Sequence, residues 1–292
     1  MNKPLDIGIA SWQSPEKLER TIRHLITNTV GDWRVFVIDN NSPDPKVKEV
    51  INQLAESYEQ VVPVFLEENI GYVGAVNKLF ELADKQYVAY VDNDAYVQTY
   101  GWNTIMEDIL ERHHEVAMVF PQSVGAAYPI ERNGYTECLW GTGCFWMLNK
   151  VRVDEIGGFN TELGHQEEVD FQTRLRLAGW KCACTNQVTV HHQATSSNNP
   201  EAQARINEGI INWVNWWNKY FVGPTVTYHS PNVTRFKDWP ITAIYLEEWY
   251  KMQPELQGLN DNPETVYVAG LGREVDLIRV PRYQHLYRDR II

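Results

Sequence analysis

The chain has 292 residues, 43% apolar and 22% charged, an ordinary globular composition with length for one large domain or two modest ones. Its formal net charge of −12 argues against a broad nucleic-acid footprint, which wants a basic face. No run of about 18 apolar residues occurs, so no spanning helix is expected.

Leu5 to Ala10 reads as a first strand rather than a secretory leader, which makes the cytoplasm the expected compartment. Ser14-Pro15-Glu16 then opens a helix, with a capping hydroxyl, a proline in the first turn and an acid near the positive end. Leu18, Ile22 and Leu25 give that helix one apolar stripe. Trp33 to Ile38 is the second strand and ends in the turn signal Asp39-Asn40-Asn41-Ser42-Pro43. Pro45 to Tyr58 is a second helix and Val61 to Leu66 a third strand. Glu68 to Gly74 is a glycine-punctuated loop leading into a helix that runs to Ala83. Tyr87-Val88-Ala89-Tyr90-Val91 is a strand buried on both faces, followed at once by Asp92-Asn93-Asp94. This alternation argues for an open parallel sheet with helices on its faces.

Beyond Asp94 the rhythm breaks. Trp102 to Glu111 is helical, Val116 to Phe120 a short strand, and Pro121 to Glu137 irregular. Leu139 to Leu148 is apolar and aromatic but interrupted by glycines. Val151 to Ile156 is a short helix closed by Gly157-Gly158, and Glu167 to Ala178 a longer one closed by Gly179. Lys181 to Val190 reads as one strand ending in His191-His192. Its Cys182 and Cys184 point to one face, so they read with Cys138 and Cys144 as reduced core thiols rather than zinc ligands or a disulfide framework. Glu201 to Tyr220 is a tryptophan-rich helix whose Trp213, Trp216 and Trp217 read as core, and Pro224 onward is short strands and turns. The terminal stretch Arg279 to Arg290 is locally basic, a solvated tail that could also meet a membrane's inner surface peripherally.

Ala10-Ser11-Trp12, Asp39, Asn69-Ile70-Gly71 and Asp92-Asn93-Asp94 all fall at strand ends or loop starts on one rim, the carboxyl edge where open α/β sheets bind ligands. Two carboxylates one residue apart repel each other unless a divalent cation relieves them, although Asp and Asn also suit a plain turn. There is no GxGxxG after the first strand and no GxxxxGK[ST], which disfavours a dinucleotide cofactor and P-loop chemistry. A nucleotide bound without a glycine cradle needs another partner for its phosphates, and the cation can be that partner.

These segments resemble the family 2 type GT-A glycosyltransferases, the nucleotide-diphospho-sugar transferase fold. Ile38-Asp39-Asn40-Asn41-Ser42 is similar to the family's "vvDNnS" segment, Glu68 to Asn77 to its "N-x-G-x-x-x-a-x-N" segment, and Asp92-Asn93-Asp94 to its D-x-D. Gly143 to Lys150 with Gly157-Gly158-Phe159-Asn160 resembles "GaclliRr…GgFDE", and Glu167-Glu168-Val169-Asp170-Phe171 stands where members carry "EDvDl". The sequence departs from the pattern at Lys150, Asn160 and Glu168, the last carrying one methylene more than the usual Asp.

The resemblance covers about residues 5 to 220. It implies a GT-A α/β domain over residues 1–222, with a nucleotide-sugar half (1–98) and an acceptor and catalytic half (99–222), and a smaller C-terminal extension over 223–292. It implies Mn²⁺ or Mg²⁺ on Asp92, Asp94 and a histidine, His192 rather than His191. Donor contacts fall to Ala10, Ser11, Trp12, Asp39, Asn69, Gly71, Asn77, Asp92 and Asn93, with Asp39 pointing to a UDP-sugar. Glu168 or Glu167 becomes the base of an inverting transfer. By their own chemistry Trp140 and the residues around it, Gly141 and Thr142, suit acceptor stacking, and aromatic core packing at least as well. That acceptor is a hydroxyl of a glycan, a lipid-linked glycan, a protein or a modified nucleic acid.

Other readings place D-x-D differently. A haloacid-dehalogenase-like phosphohydrolase wants Thr or Val where Tyr96 stands, and a nucleotidyltransferase wants glycines and basic residues where Ser11-Trp12-Gln13-Ser14 stands. A carbohydrate-binding protein without activity would not need both acids and the glutamate pair. A hydroxylated DNA base as acceptor runs against the net charge.

Overall fold

The computed structural model describes residues 3–127, 130–132, 134–138, 140–163 and 167–193, and two strands at 265–268 and 273–276. The chain forms two compact units. The first comprises Met1–Glu162, Glu167–Arg176 and Trp180–Asn199; the second comprises Leu163–Gln166, Leu177–Gly179 and Pro200–Ile292.

In the first unit, β1 (Leu5–Ser11), α1 (Pro15–Asn28), β2 (Trp33–Asp39), α2 (Pro45–Ser57), β3 (Val61–Phe65), α3 (Gly71–Leu82) and β4 (Tyr87–Val91) follow one another as expected. Next come β5 (Ala95–Val97), α4 (Trp102–Arg112) and β6 (Val116–Pro121). The stretch read as irregular holds three short strands, β7 (Ala126–Ala127), β8 (Ile130–Glu131) and β9 (Thr136–Cys138). The first unit then continues through β10 (Trp140–Gly141), β11 (Phe145–Asn149), α5 (Lys150–Ile156), α6 (Glu167–Leu177), β12 (Lys181–Thr185) and β13 (Val190–His192).

The main sheet has nine strands in the order β3-β2-β1-β4-β11-β6-β12-β9-β8. Its pairings make β11 and β9 run against the other seven. Leu5, Ile7, Ile9, Ala89, Val91, Phe145 and Met147 face one core with Leu18, Ile22 and Leu25 of α1, Ile51 of α2 and Met106 of α4. Val88, Tyr90, Trp146 and Leu148 face the other, with Leu79 and Phe80 of α3, Val153 of α5 and Phe171 and Leu175 of α6. Strand alternation thus supplies two cores from one sheet, and the helices cover both faces.

Local chemistry sets the ends. Pro15 opens α1, but Ser14 takes a left-handed conformation (φ 56°) and makes no side-chain cap. Asp44 caps α2 by accepting from Lys46 N. Gly71 starts α3 at φ +73°, a conformation that suits glycine. Gly8 lets α3 lean on β1, since a Cβ there would lie 2.3 Å from Leu79 Cδ2. Asp6 is fully buried, paired with Arg34 at 2.7 Å, and accepts from the backbone N–H groups of Asp84 and Lys85 that precede β4.

Lys181 to His192 is not one strand. β12 pairs with β6 and β9 in the main sheet, whereas β13 pairs with β5 in a separate two-stranded sheet. Thr185 Oγ1 accepts from Gln187 N at the break, where Asn186 and Gln187 are exposed. All four cysteines are buried, and Cys182 and Cys184 share one core while Ala183 faces the other. In the second unit, β14 (Thr265–Val268) and β15 (Arg273–Asp276) form an antiparallel pair. The tryptophan-rich helix expected over 201–220 and the basic stretch 279–290 lie outside the described residues. Among the described residues, no helix is long and apolar enough to cross a membrane.

Candidate active site

A cavity of about 380 Å³ opens at the carboxyl edge of β1, β2 and β4. Ala10, Ser11, Trp12, Asn69, Gly71, Asp92, Asn93, Asp94 and His192, all singled out above, line it. Asn40, Tyr72 and Tyr90 line it as well. Ser11 is buried, and its hydroxyl has no hydrogen-bond partner among the described residues, so a polar ligand would relieve it. Trp12 is half exposed at 51% and offers an aromatic face.

Two expected donor contacts lie outside the lining. Asp39 sits under the rim, 6% exposed, and accepts from Ser42 N, shaping the turn that presents Asn40. Asn40 ties that turn to the next loop, accepting from Ile70 N and donating to Gly71 O. Asn77 spends its amide on Phe159, donating to its carbonyl and accepting from its N–H, and so anchors the Gly157-Gly158-Phe159 loop to α3. A Cβ at Gly158 would lie 2.4 Å from Asn77 Oδ1, which explains the glycine there.

Asp92, Asp94 and His192 offer ligand atoms that all lie within 4.8 Å of one another. His192 arrives from far along the chain because β13 pairs antiparallel with β5, placing it opposite Ala95. Its Nε2 is 3.1 Å from Asp94 Oδ1 and 3.5 Å from Asp92 Oδ2. The two carboxylates push the imidazole up to about 12. Burial works to raise Asp94, but hydrogen bonds from His192 and Lys17 outweigh it and hold the carboxyl below its usual range. His191 points away, exposed, and stacks on Tyr96.

The segment Gly143-Cys144 that leads into β11 lies, by its contacts, between this cluster and the remaining acids. Asp92 N donates to Cys144 O, and Phe145 pairs with Val91. A Cβ at Gly143 would lie 3.4 Å from the Tyr72 hydroxyl and 3.5 Å from Glu168 Cγ, so Glu168 stands beside a residue of the cavity lining. Burial, and then the Glu168 charge, push Glu167 up to about 8, and one of its oxygens has no partner among the described residues. Burial of its carboxyl raises Glu168 too, with Asp92 adding to it. Burial lifts the Tyr72 phenol well above 10, and Asp92, Glu167 and Glu168 act in the same direction.

Of the expected acceptor residues, Gly141 is buried and has both backbone groups bonded to Gln172, at 2.8 and 2.9 Å. Thr142 contacts Cys144 Sγ, and only the backbone of Trp140, in β10, is described. Neither Gly141 nor Thr142 lines the cavity. Tyr90 was not singled out by sequence, yet it stands two residues before Asp92 on an alternating strand and so shares its face. Lys17 needed the fold, since nothing local points it at Asp94.

The family described as "Glycosyl transferase family 2" matches residues 6–160, more than half of the chain. A glycosyltransferase of Bacillus subtilis (strain 168) assigned by name to teichuronic acid biosynthesis, TuaG, is 30% identical over 93 residues, 32% of this chain and 36% of that protein. The chain spans about a third of the length of the curated relatives it matches. By fold it is similar to the mannosyltransferase PcManGT from Pyrobaculum calidifontis in complex with GDP-Man and Mn²⁺, with TM-score 0.63 and 13% identity over 77% of this chain and 66% of that one. GalNAc-T7 with UDP, GalNAc and Mn²⁺ gives TM-score 0.59 and 14% identity over 65% of this chain and 44% of that one. Both likenesses bear on the fold, which is of the GT-A type.

Proposed function

This chain belongs to glycosyl transferase family 2, and on that premise we propose that it is a metal-dependent, inverting glycosyltransferase. It moves a sugar from a nucleoside diphosphate sugar, a UDP-sugar foremost, to an acceptor hydroxyl. The observation that carries this reading is the convergence of Asp92, Asp94 and His192 on the floor of one carboxyl-edge cavity. Two carboxylate oxygens and an imidazole nitrogen fit a hard divalent ion with positions left for phosphate oxygens, and the nitrogen donor tips the choice toward Mn²⁺. When bound, that ion supplies positive charge for the leaving diphosphate.

The chain's own groups do the rest. Trp12 and Ser11 hold the nucleoside side of the donor, and Asn40 and Asn69 frame its entrance. Glu168 takes the proton of the acceptor hydroxyl as its oxygen bonds to the anomeric carbon and the diphosphate departs from the opposite face. A single base and one displacement invert the anomeric centre. Burial raises both carboxyls of the pair, Glu167 to about 8, so the two titrate together above the ordinary carboxylate range. A Glu with a raised pKa is better matched to a hydroxyl proton than an ordinary one.

A thermal-shift comparison of nucleoside diphosphates with and without Mn²⁺ tests the proposal. UDP with Mn²⁺ should raise the melting temperature well above UDP or Mn²⁺ alone. Equal shifts with and without the ion would remove the metal from the mechanism.

A further inference from the structure

Each carboxylate of the Asp92–Asp94–His192 cluster has one oxygen facing His192 and the other held by a donor from outside the cluster. The Tyr90 hydroxyl donates to Asp92 Oδ1 at 2.8 Å, while Asp92 Oδ2 faces His192. Lys17 Nζ donates to Asp94 Oδ2 at 3.2 Å, while Asp94 Oδ1 faces His192 at 3.1 Å. The Lys17 contact is built in. One face of α1 lies along β5: Arg20 covers the Tyr96 ring at 4.3 Å, and His24 Nδ1 and Asn28 Nδ2 donate to Val97 O at 2.9 Å. Lys17 is the first residue of that row, and its amine also donates to Gln193 O, next to His192.

Resting on the metal reading above, we propose that Lys17 and Tyr90 are positioning residues that confine Asp94 and Asp92 to one ligand oxygen each. This confinement makes the site select Mn²⁺ or Mg²⁺ over Ca²⁺. The physical reason is coordination number. Ca²⁺ takes about 6 to 8 oxygens and uses two-oxygen carboxylate ligation readily, whereas Mg²⁺ demands a tight octahedron of about 6. Three single-atom protein ligands leave three octahedral positions for phosphate oxygens and water. The same three atoms leave Ca²⁺ short of ligands. Freeing the second oxygen of either Asp removes that handicap.

The test is a binding competition on the full chain, with Mn²⁺ followed by its paramagnetic resonance signal and displaced by Ca²⁺. Lys17→Gln should shift the Ca²⁺ to Mn²⁺ affinity ratio toward Ca²⁺ by about tenfold, the lower end of what loss of a ligand-orienting partner does to metal sites. Tyr90→Phe should shift it the same way, and Lys17→Arg, which still donates to Oδ2, should stay near wild type. An unchanged ratio in both Lys17→Gln and Tyr90→Phe, with Mn²⁺ still bound, overturns the assignment and leaves the metal reading intact. A parallel loss of affinity for both ions also overturns it, since that is a charge or folding effect. Mn²⁺ binding that survives Asp94→Asn unweakened overturns the metal reading itself and this assignment with it.

Discussion

Glu167 and Glu168 are neighbours with unequal surroundings. Glu167 is 6% exposed with an oxygen lacking a partner among the described residues, whereas Glu168 stands beside Gly143, itself next to the Tyr72 hydroxyl, and neither glutamate is in the cavity lining. If Glu168 is the base, Glu168→Gln should lower transfer by a thousandfold or so while donor and Mn²⁺ binding persist, within the usual contribution of about 10² to 10⁴ for a positioned base. The raised pKa also sets a pH sign. A base must be ionised, so transfer falls as pH drops through its pKa, and the acid limb should lie nearer neutrality than an ordinary glutamate's. His192 gives a second sign. Held protonated up to about 12 without a metal, it must shed that proton to ligate. Calorimetry in buffers of different protonation enthalpy should therefore show about one proton released per Mn²⁺, with affinity rising with pH.

Among the elements, the donor-side strands were legible because each announces itself twice, by an apolar run and by a polar stop. β4 reads as five apolar residues closed by Asp92, and its position on the rim follows from alternation with helices. The break between β12 and β13 was not legible. No glycine or proline marks it, and the turn at Thr185 to Gln187 leaves no periodic trace. Asn77 carries a motif position, yet its amide serves the Phe159 loop, a contact that depends on how α3 seats against β1 over Gly8. Lys17 was hidden for the same reason, since helix packing decides which turn faces β5. Asp6 is the element-scale anchor: it fastens β1 to Arg34 of β2 and to the backbone that enters β4. Asp6→Ala would leave two N–H groups and part of a guanidinium unmatched. It should cost about 3 kcal/mol in urea unfolding, typical of breaking a buried pair from one side.

At the level of the whole first unit, β11 is what makes one sheet out of two groups of strands. It enters between β4 and β6, running against both, and the Cys144 carbonyl just before it accepts from Asp92 N. β11 is five residues long and mostly buried. Truncation after residue 98 would strip that cover and turn Tyr87-Val88-Ala89-Tyr90-Val91 into a bare, flat, uncharged margin, the kind that recruits other chains. Such a fragment should precipitate rather than bind nucleotide, whereas the intact first unit should remain dispersed. A minimal donor-binding module cut from this protein would have to keep its return strand.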